Sequence, residues 1–464
     1  MDQPLVLARI ADFLAAADDR GRFACTDRAC NVAASSCASI TVASVHHLDG
    51  AIALGGSNLR ELRISCIDGA EAAAADLGRL RDRAPSTSTS ICVIDTRSWS
   101  EGARLLSRLA FLGELVQIPS VRELRLAHFS YADEVDGLIV HPKVVIDGTL
   151  SLDYCRFGRA NDIANLLRHD RVETLCLNSC ANLPAELLAR TSARHVDLTK
   201  VTIDDQAVLL PIAANARVKE LTIMYTEVRD IAAIAALLRL PHRYDDGLSL
   251  SCELFDNAVA DPAHGRALAD ALSSPSLHIG TKLLVDTTGI SELDAFLGVV
   301  ASCASRNVGL RSVTVVVDGV PASGEGLRAL VRLPSHIERV SLESWDEQYG
   351  SHLRTGEPQN DWAWHALASI DMPSLLSLRI TCAAYCAVGG DAGAHRLAGL
   401  SVARGAPRLE SVDLTFEYAD EYPMGDEWVD SFSEGFSSGL AAGVRGSFER
   451  KNGRVTLTWT RTRD

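Results

Sequence analysis

Between Val172 and Ala214 the chain writes one structural unit twice in succession, VETLCLNSCANLPAELLARTS and then ARHVDLTKVTIDDQAVLLPIA. Each copy opens on a short alternating run, with Leu175 and Leu177 in the first and Val196 and Leu198 in the second. Residues two apart on a strand share a face, so these side chains point to one side. A polar turn then leads into apolar residues at helical spacing. Strand, turn and helix repeated in tandem is the mark of a repeat architecture, and it constrains the fold more than any other feature of the sequence.

The same strand pattern recurs along most of the chain. It is read at 39–44, 59–65, 91–96, 121–127, 148–155, 172–180, 193–200, 218–224, 247–252, 281–287, 310–317, 337–344, 375–381, 409–416 and 454–461. The runs lie roughly 20 to 40 residues apart, the range of a strand-plus-helix repeat. Between them are helix-compatible stretches, at 102–116, 161–169, 230–240, 265–274, 291–302 and 324–333. Short strands joined by helical crossovers predict a coil of parallel strands with the helices outside.

A chain of 464 residues has ample material for a core, and a repeat array grows along one axis, so one long array is the simpler domain count. With 47% hydrophobic residues but only 5% aromatic ones, that core is expected to be aliphatic. The net charge of −15 argues against a nucleic-acid backbone as the main partner, since phosphate binding needs a basic face. Twelve cysteines are scattered without the close pairs of a zinc site, which fits reduced thiols in an intracellular protein, cytoplasmic or nuclear. The opening MDQPLVLARIADFLAA carries Asp2, Arg9 and Asp12 where a signal peptide needs an apolar run, and no run of about 18 apolar residues occurs; neither secretion nor a membrane span is indicated.

The runs resemble leucine-rich repeats, whose signature is L-x-x-L-x-L-x-x-N/C-x-L, and in particular the cysteine-type repeats of F-box proteins. Leu150-x-Leu152-x-x-Cys155 and Leu175-x-Leu177-x-x-Cys180 put cysteine at the family's ladder position, and Ile203-Asp204 resembles its turn into the helix. Phe129, Val201 and Thr226 stand at that position in other copies. The resemblance spans about 420 residues and implies an α/β leucine-rich-repeat solenoid, a horseshoe of short parallel strands with outer helices. Unequal copy lengths imply an irregular curve.

Residues 1–38 have a different character, with Leu7, Ile10, Phe13 and Leu14 at helical spacing. Three short helices in so few residues are too little for an independent core. The segment resembles an F-box, the module that docks a substrate receptor on the Skp-type linker of a cullin–RING ubiquitin ligase. Pro4, Leu7, Ile10, Phe13 and Leu14 match the family's opening proline and apolar helix, Asp18 its acidic residue, and Arg28 with Val32 its third helix. The family's acidic residue after the proline is absent, and Cys30 stands where an aromatic is common. The resemblance implies docking of the linker through Pro4, Leu5, Leu7, Ile10, Phe13 and Leu14. The other reading is a cap over the first repeat of the 39–464 array.

Two irregular insertions interrupt the array, near 343–365 and 417–436. Trp345, Trp362, Trp364, Tyr418 and Trp428 are aromatic residues set among charges there, either anchors of binding loops or rings that close the solenoid's end. His46, His47 and Asp49 lack the spacing of metal ligands, the glycines of AVGGDAGAHRLAGL form no phosphate loop, and no Ser, His and Asp form a nucleophile elbow. No catalytic residue, metal or cofactor is indicated.

If Leu62, Leu124, Leu175, Val196, Leu221, Val340 and Leu378 point inward, their neighbours line the opposite, concave face. That face would display Glu61, Arg63, Glu123, Arg125, Asp153, His195, Asp197, Glu220, Thr222, Arg339, Glu343, Arg379 and Asp413. Mixed charge over a broad sheet suits an unidentified folded protein more than a small molecule. The combined expectation is a non-enzymatic adaptor that brings a target protein to a ubiquitin ligase, or a scaffold or inhibitor whose N-terminal helices only cap the array.

Overall fold

A computed structural model describes the backbone of short strands at 39–42, 61–64, 90–93, 121–127, 144–153 and 167–168, and then most of the chain from 172 to 461. Within that span 184–187, 204–208, 229–231, 252–261, 318–323, 344–361, 384–391, 418–426, 440–443 and several shorter stretches are not described. Residues 1–38, with the six expected docking positions, lie outside the described part. The chain divides into two compact units, Met1–Val218 and Lys219–Asp464.

In the first unit, β1 (Ser39–Val42), β2 (Glu61–Ile64) and β3 (Ser90–Val93) form a parallel three-stranded sheet. A second parallel ladder runs through β4 (Val121–Ala127), β5 (Val144–Asp153), β7 (Val172–Asn178) and β8 (His195–Thr199). Near the end of the stretch read as helix-compatible, a two-residue strand, β6 (Leu167–Arg168), pairs with Val144 and Val145; the rest of 161–169 lies outside the described residues. β9 (Thr202–Ile203) and α1 (Leu210–Ala214) complete the described elements of this unit.

The second unit alternates strands and crossover helices. Its sheet is built from β10 (Glu220–Met224), β13 (Gly247–Ser251), β15 (Lys282–Asp286), β16 (Ser312–Val316), β17 (Arg339–Glu343), β18 (Ser377–Ala383) and β19 (Ser411–Glu417), each parallel to the next. The short β11 (Glu227–Val228) follows β10, while β12 (His242–Tyr244) and β14 (Leu277–Ile279) pair in a separate parallel ladder just ahead of β13 and β15. The helices between are α2 (Ala232–Arg239), α3 (Pro262–Leu272), α4 (Leu293–Arg306), α5 (Glu325–Leu330), α6 (Trp362–Ala368), α7 (Ala392–Gly405) and α8 (Glu427–Gly439), each packed on its successor.

Register shows why the pattern folds this way. Leu221, Leu248, Leu283, Val313, Val340, Leu378 and Val412 stand opposite one another without a slip, 27 to 38 residues apart in sequence. Ile223, Leu250, Val285, Val315, Leu342, Ile380 and Leu414 make a second such row, and every member of both rows is buried. A one-residue slip would turn both rows to solvent, so burial itself fixes the register. The first unit has the same two rows, Leu150, Leu175 and Val196 beside Leu152, Leu177 and Leu198.

One turn recurs before the strands. The carbonyl of Thr281 accepts from the amides of Arg311 and Ser312, that of Arg311 from Glu338 and Arg339, that of Glu338 from Leu376 and Ser377, and that of Leu376 from Glu410 and Ser411. Just upstream, Leu310, Ile337, Leu375 and Leu409 each donate to the residue three back and bury their side chains. They are the first apolar residue of each L-x-x-L-x-L triplet. All three apolar positions of the signature are therefore core positions.

The last strands depart from the expected all-parallel coil. β21 (Arg454–Arg461) pairs antiparallel with β19, and β20 (Val444–Lys451) pairs antiparallel with β21. Only Asn452 and Gly453 separate β20 from β21, too short for a parallel crossover and the pair best suited to a hairpin. Of the two readings open for the aromatic residues of the insertions, Trp364 takes the packing one: it is 2% exposed, against the rings of His395 and Phe432, with Phe432 packed in turn on Phe436. It belongs to the core beneath α6, α7 and α8 and anchors no exposed loop; Glu427–Gly439 of the second insertion is likewise a regular crossover helix.

Candidate partner-binding face

The residues alternating with the buried rows face away from the helices. In the second unit the middle row of that face reads Thr222, Ser249, Leu284, Thr314, Ser341, Arg379, Asp413, in register across seven strands. The row towards the strand starts includes Ser312, Arg339, Ser377 and Ser411. Strands spaced about 4.8 Å apart make this a continuous row in which four of the seven positions are small hydroxyls. Charge is sparser than the sequence suggested, because the serines and threonines between the charged residues occupy the same face.

Its polar groups are organised. Arg379 Nε lies 3.3 Å from Asp413 Oδ2 on the adjoining strand, and Thr415 Oγ1 donates to Asp413 Oδ1 at 3.1 Å. Ser341 Oγ donates to Glu343 Oε1 at 2.9 Å, and Ser411 Oγ to Ser377 Oγ at 3.0 Å. Arg339 is exposed, while Glu220 and Glu343 are half-buried. Beside the start of β13, a hydrogen bond from Lys219 holds the Asp245 carboxyl below its usual range, helped by the charges of Lys219 and Arg243.

The row at the strand ends is partly closed. Ser251, Asp286, Thr287 and Val316 are buried, with Ser251 Oγ donating to Asp286 Oδ2 at 3.1 Å and Thr287 Oγ1 to the Val316 carbonyl at 2.9 Å. The first unit shows the same closure. Asp153, expected on the open face, is 4% exposed; it follows the second core leucine, Leu152, as Asp286 follows Val285. The closure covers β13, β15 and β16 and the end of β5, while Glu343, Thr381 and Thr415 in the same row stay half-buried.

The remaining expected positions separate by unit. In the first, His195 and Asp197 are half-buried on β8, opposite Thr174 and Cys176, and Thr199 Oγ1 donates to Asp197 Oδ1 at 2.6 Å. Glu61 and Arg63 take register positions on β2, and Glu123 and Arg125 on β4, opposite Thr149 and Ser151. Their side chains, like those of Trp345 and Tyr418, lie outside the described residues. The ladder cysteine is in place: Cys180 is 1% exposed and its thiol donates to the Leu152 carbonyl at 3.1 Å, while Val201 fills the same position buried after β8.

Among the described residues no group of three or more His, Cys, Asp or Glu is placed to hold a metal ion, and no helix is long and apolar enough to cross a membrane. The chain matches no family model and no curated protein. Among solved structures it is similar to a leucine-rich repeat-containing protein, LegL7 from Legionella pneumophila, with a TM-score of 0.37 and 10% identity over 87% of this chain and 99% of that one. The fold assignment rests on the register and the recurring turn. Of the hydroxyl row only Thr222 is among the face residues expected from sequence, since serine and threonine carry no charge to mark the others.

Proposed function

We propose that this chain is a non-enzymatic, intracellular protein-binding scaffold of leucine-rich-repeat type, holding a folded partner on the open sheet face. The observation that carries this reading is the middle row of seven in-register strands, small hydroxyls ending in Arg379 and Asp413. A row of mostly short side chains across seven strands suits close approach of a broad surface more than enclosure of a small molecule. Arginine beside such a row is the residue type that dominates binding energy when it becomes desolvated at an interface centre. Substituting Ser341→Arg or Thr314→Arg would raise a bulky charge in the row, and loss of crosslinks from partner to peptides of the row, read by mass spectrometry, would support the proposal; crosslinks confined to the helical side would overturn it.

The finer form of the reading is an F-box-type substrate receptor. It is supported by the resemblance of residues 4–34 to that module. The N-terminal segment would dock a Skp-type linker and the sheet face would present the target, the chain contributing proximity and no chemistry. Purified linker should bind the intact chain and lose that binding when residues 1–38 are deleted. Retained binding would reduce the segment to a cap.

A further inference from the structure

β20 ends the strand order of its sheet. It pairs with β21 through eight positions without a register shift, and among the described residues nothing pairs with its other edge. Sheets blunt such edges with proline, a bulge or charged side chains, lysine above all. β20, Val-Arg-Gly-Ser-Phe-Glu-Arg-Lys, has no proline and no shift towards β21, and its four charges are of both signs, so a partner strand of matching charge can offset them.

Backbone parity decides which contacts that edge can make. Lys451 and Arg454 flank a two-residue connection, so they exchange hydrogen bonds with each other. Alternation then turns the backbone groups of Arg445, Ser447 and Glu449 towards β21, and leaves those of Val444, Gly446, Phe448 and Arg450 on the outer edge. An antiparallel partner strand must bring its own outward residues opposite these. For a second copy of the same strand, the two-fold axis must then pass through a residue.

Only one such register matches charge. With the axis through Ser447, Arg445 stands opposite Glu449 twice, by symmetry, and Gly446 opposite Phe448 twice. Opposite charges across a strand pair attract, and an aromatic ring facing glycine covers the weak point of the strand. With the axis through Phe448, Arg445 meets Lys451 and repels it. With the axis through Gly446 the ladder shortens to five residues and leaves Glu449 unmatched.

We propose that the full chain forms a two-fold symmetric dimer by antiparallel pairing of β20 with its copy about Ser447, continuing the sheet from one molecule into the next. The pairing is isologous and closes at two copies, so it makes no fibre. It uses the sheet edge and leaves the partner-binding face free. Its test does not depend on the scaffold reading.

The test is sedimentation of the full chain over a range of concentrations, with unchanged far-ultraviolet circular dichroism as the check on folding. Wild type should show a monomer–dimer equilibrium. Arg445→Glu should weaken it about tenfold or more, since two attractive pairs become repulsive, and adding Glu449→Arg should restore it. In a non-hydrogen-bonded pair the Cα atoms lie about 4.5 Å apart, within disulfide reach. Ser447→Cys should therefore give a covalent dimer on mild oxidation under conditions that leave wild type uncrosslinked. A monomer at every concentration would overturn the proposal, as would a dimer indifferent to Arg445→Glu or a double variant that stays monomeric.

Discussion

Arg379 Nε stands 3.3 Å from Asp413 Oδ2 across β18 and β19, on residues directly opposite in register. The two side chains are 57% and 31% exposed, so water screens the pair. Such pairs contribute about 0–1 kcal/mol. Arg379→Ala is expected to leave the urea unfolding free energy within about 1 kcal/mol of wild type, while lowering affinity for whatever protein the face holds. A loss of several kcal/mol in the urea titration would show instead that the arginine is a structural strut.

Asn307 is a strut of that kind. Its Oδ1 accepts from the Ile279 amide at 2.8 Å, 28 residues back, and its Nδ2 donates to the Cys303 carbonyl at 2.9 Å; the side chain is buried. Asn307→Ala leaves the buried Ile279 amide without its acceptor, which costs about 1–3 kcal/mol. Urea denaturation should show that drop, and Asn307→Asp, which keeps the acceptor and loses the donor, should fall between. A neutral Asn307→Ala would mean that water replaces both contacts.

Much of the array could be read without coordinates because two-residue alternation and burial of aliphatics express the same constraint. Leu175, Val196, Leu221, Val340 and Leu378 all point into the core as their spacing required. What the spacing misplaced or left open shares a cause. Asp153 and Trp364 are each settled by a long-range neighbour: a closed-over strand end, a ring cluster from two later helices. Local pattern carries no information about those. The turn that feeds two amides to one carbonyl is backbone chemistry, visible only as an unremarkable apolar residue three positions before the first core position.

Cys303 lies against Asn307 on α4, and burial pushes its thiol up to about 11, overriding the opposing pull of Arg306 and Asn307. The thiolate is the reactive form, so Cys303 should resist iodoacetamide at pH 8 in the folded chain and react once urea unfolds it. Peptide mapping of the alkylated protein checks this. Because the folded pKa exceeds the unfolded one, this group's contribution to stability is intact below an ordinary thiol's range and is lost as pH climbs towards 11. Cys303→Ala should accordingly flatten the alkaline fall in stability.

Two helical glycines should respond to the same substitution with opposite sign. Gly298 sits inside α4 with open space where a Cβ would be, so Gly298→Ala gains helix propensity and should stabilise by about 0.5–1 kcal/mol. Gly435 sits on α8 where a Cβ would run into the carbonyl of Arg396 on α7, and Gly399 on α7 meets the Phe432 carbonyl in the same way. The two helices approach so closely because both contact positions lack a side chain. Gly435→Ala must push backbone against backbone, beneath the buried Trp364, Phe432 and Phe436, and overpacking of that kind costs about 1–3 kcal/mol. Thermal melts of the two variants beside wild type should therefore move in opposite directions. If Gly435→Ala also raised the midpoint, α7 and α8 would have room that their packing denies, and the cap they form over the aromatic cluster would be looser than described.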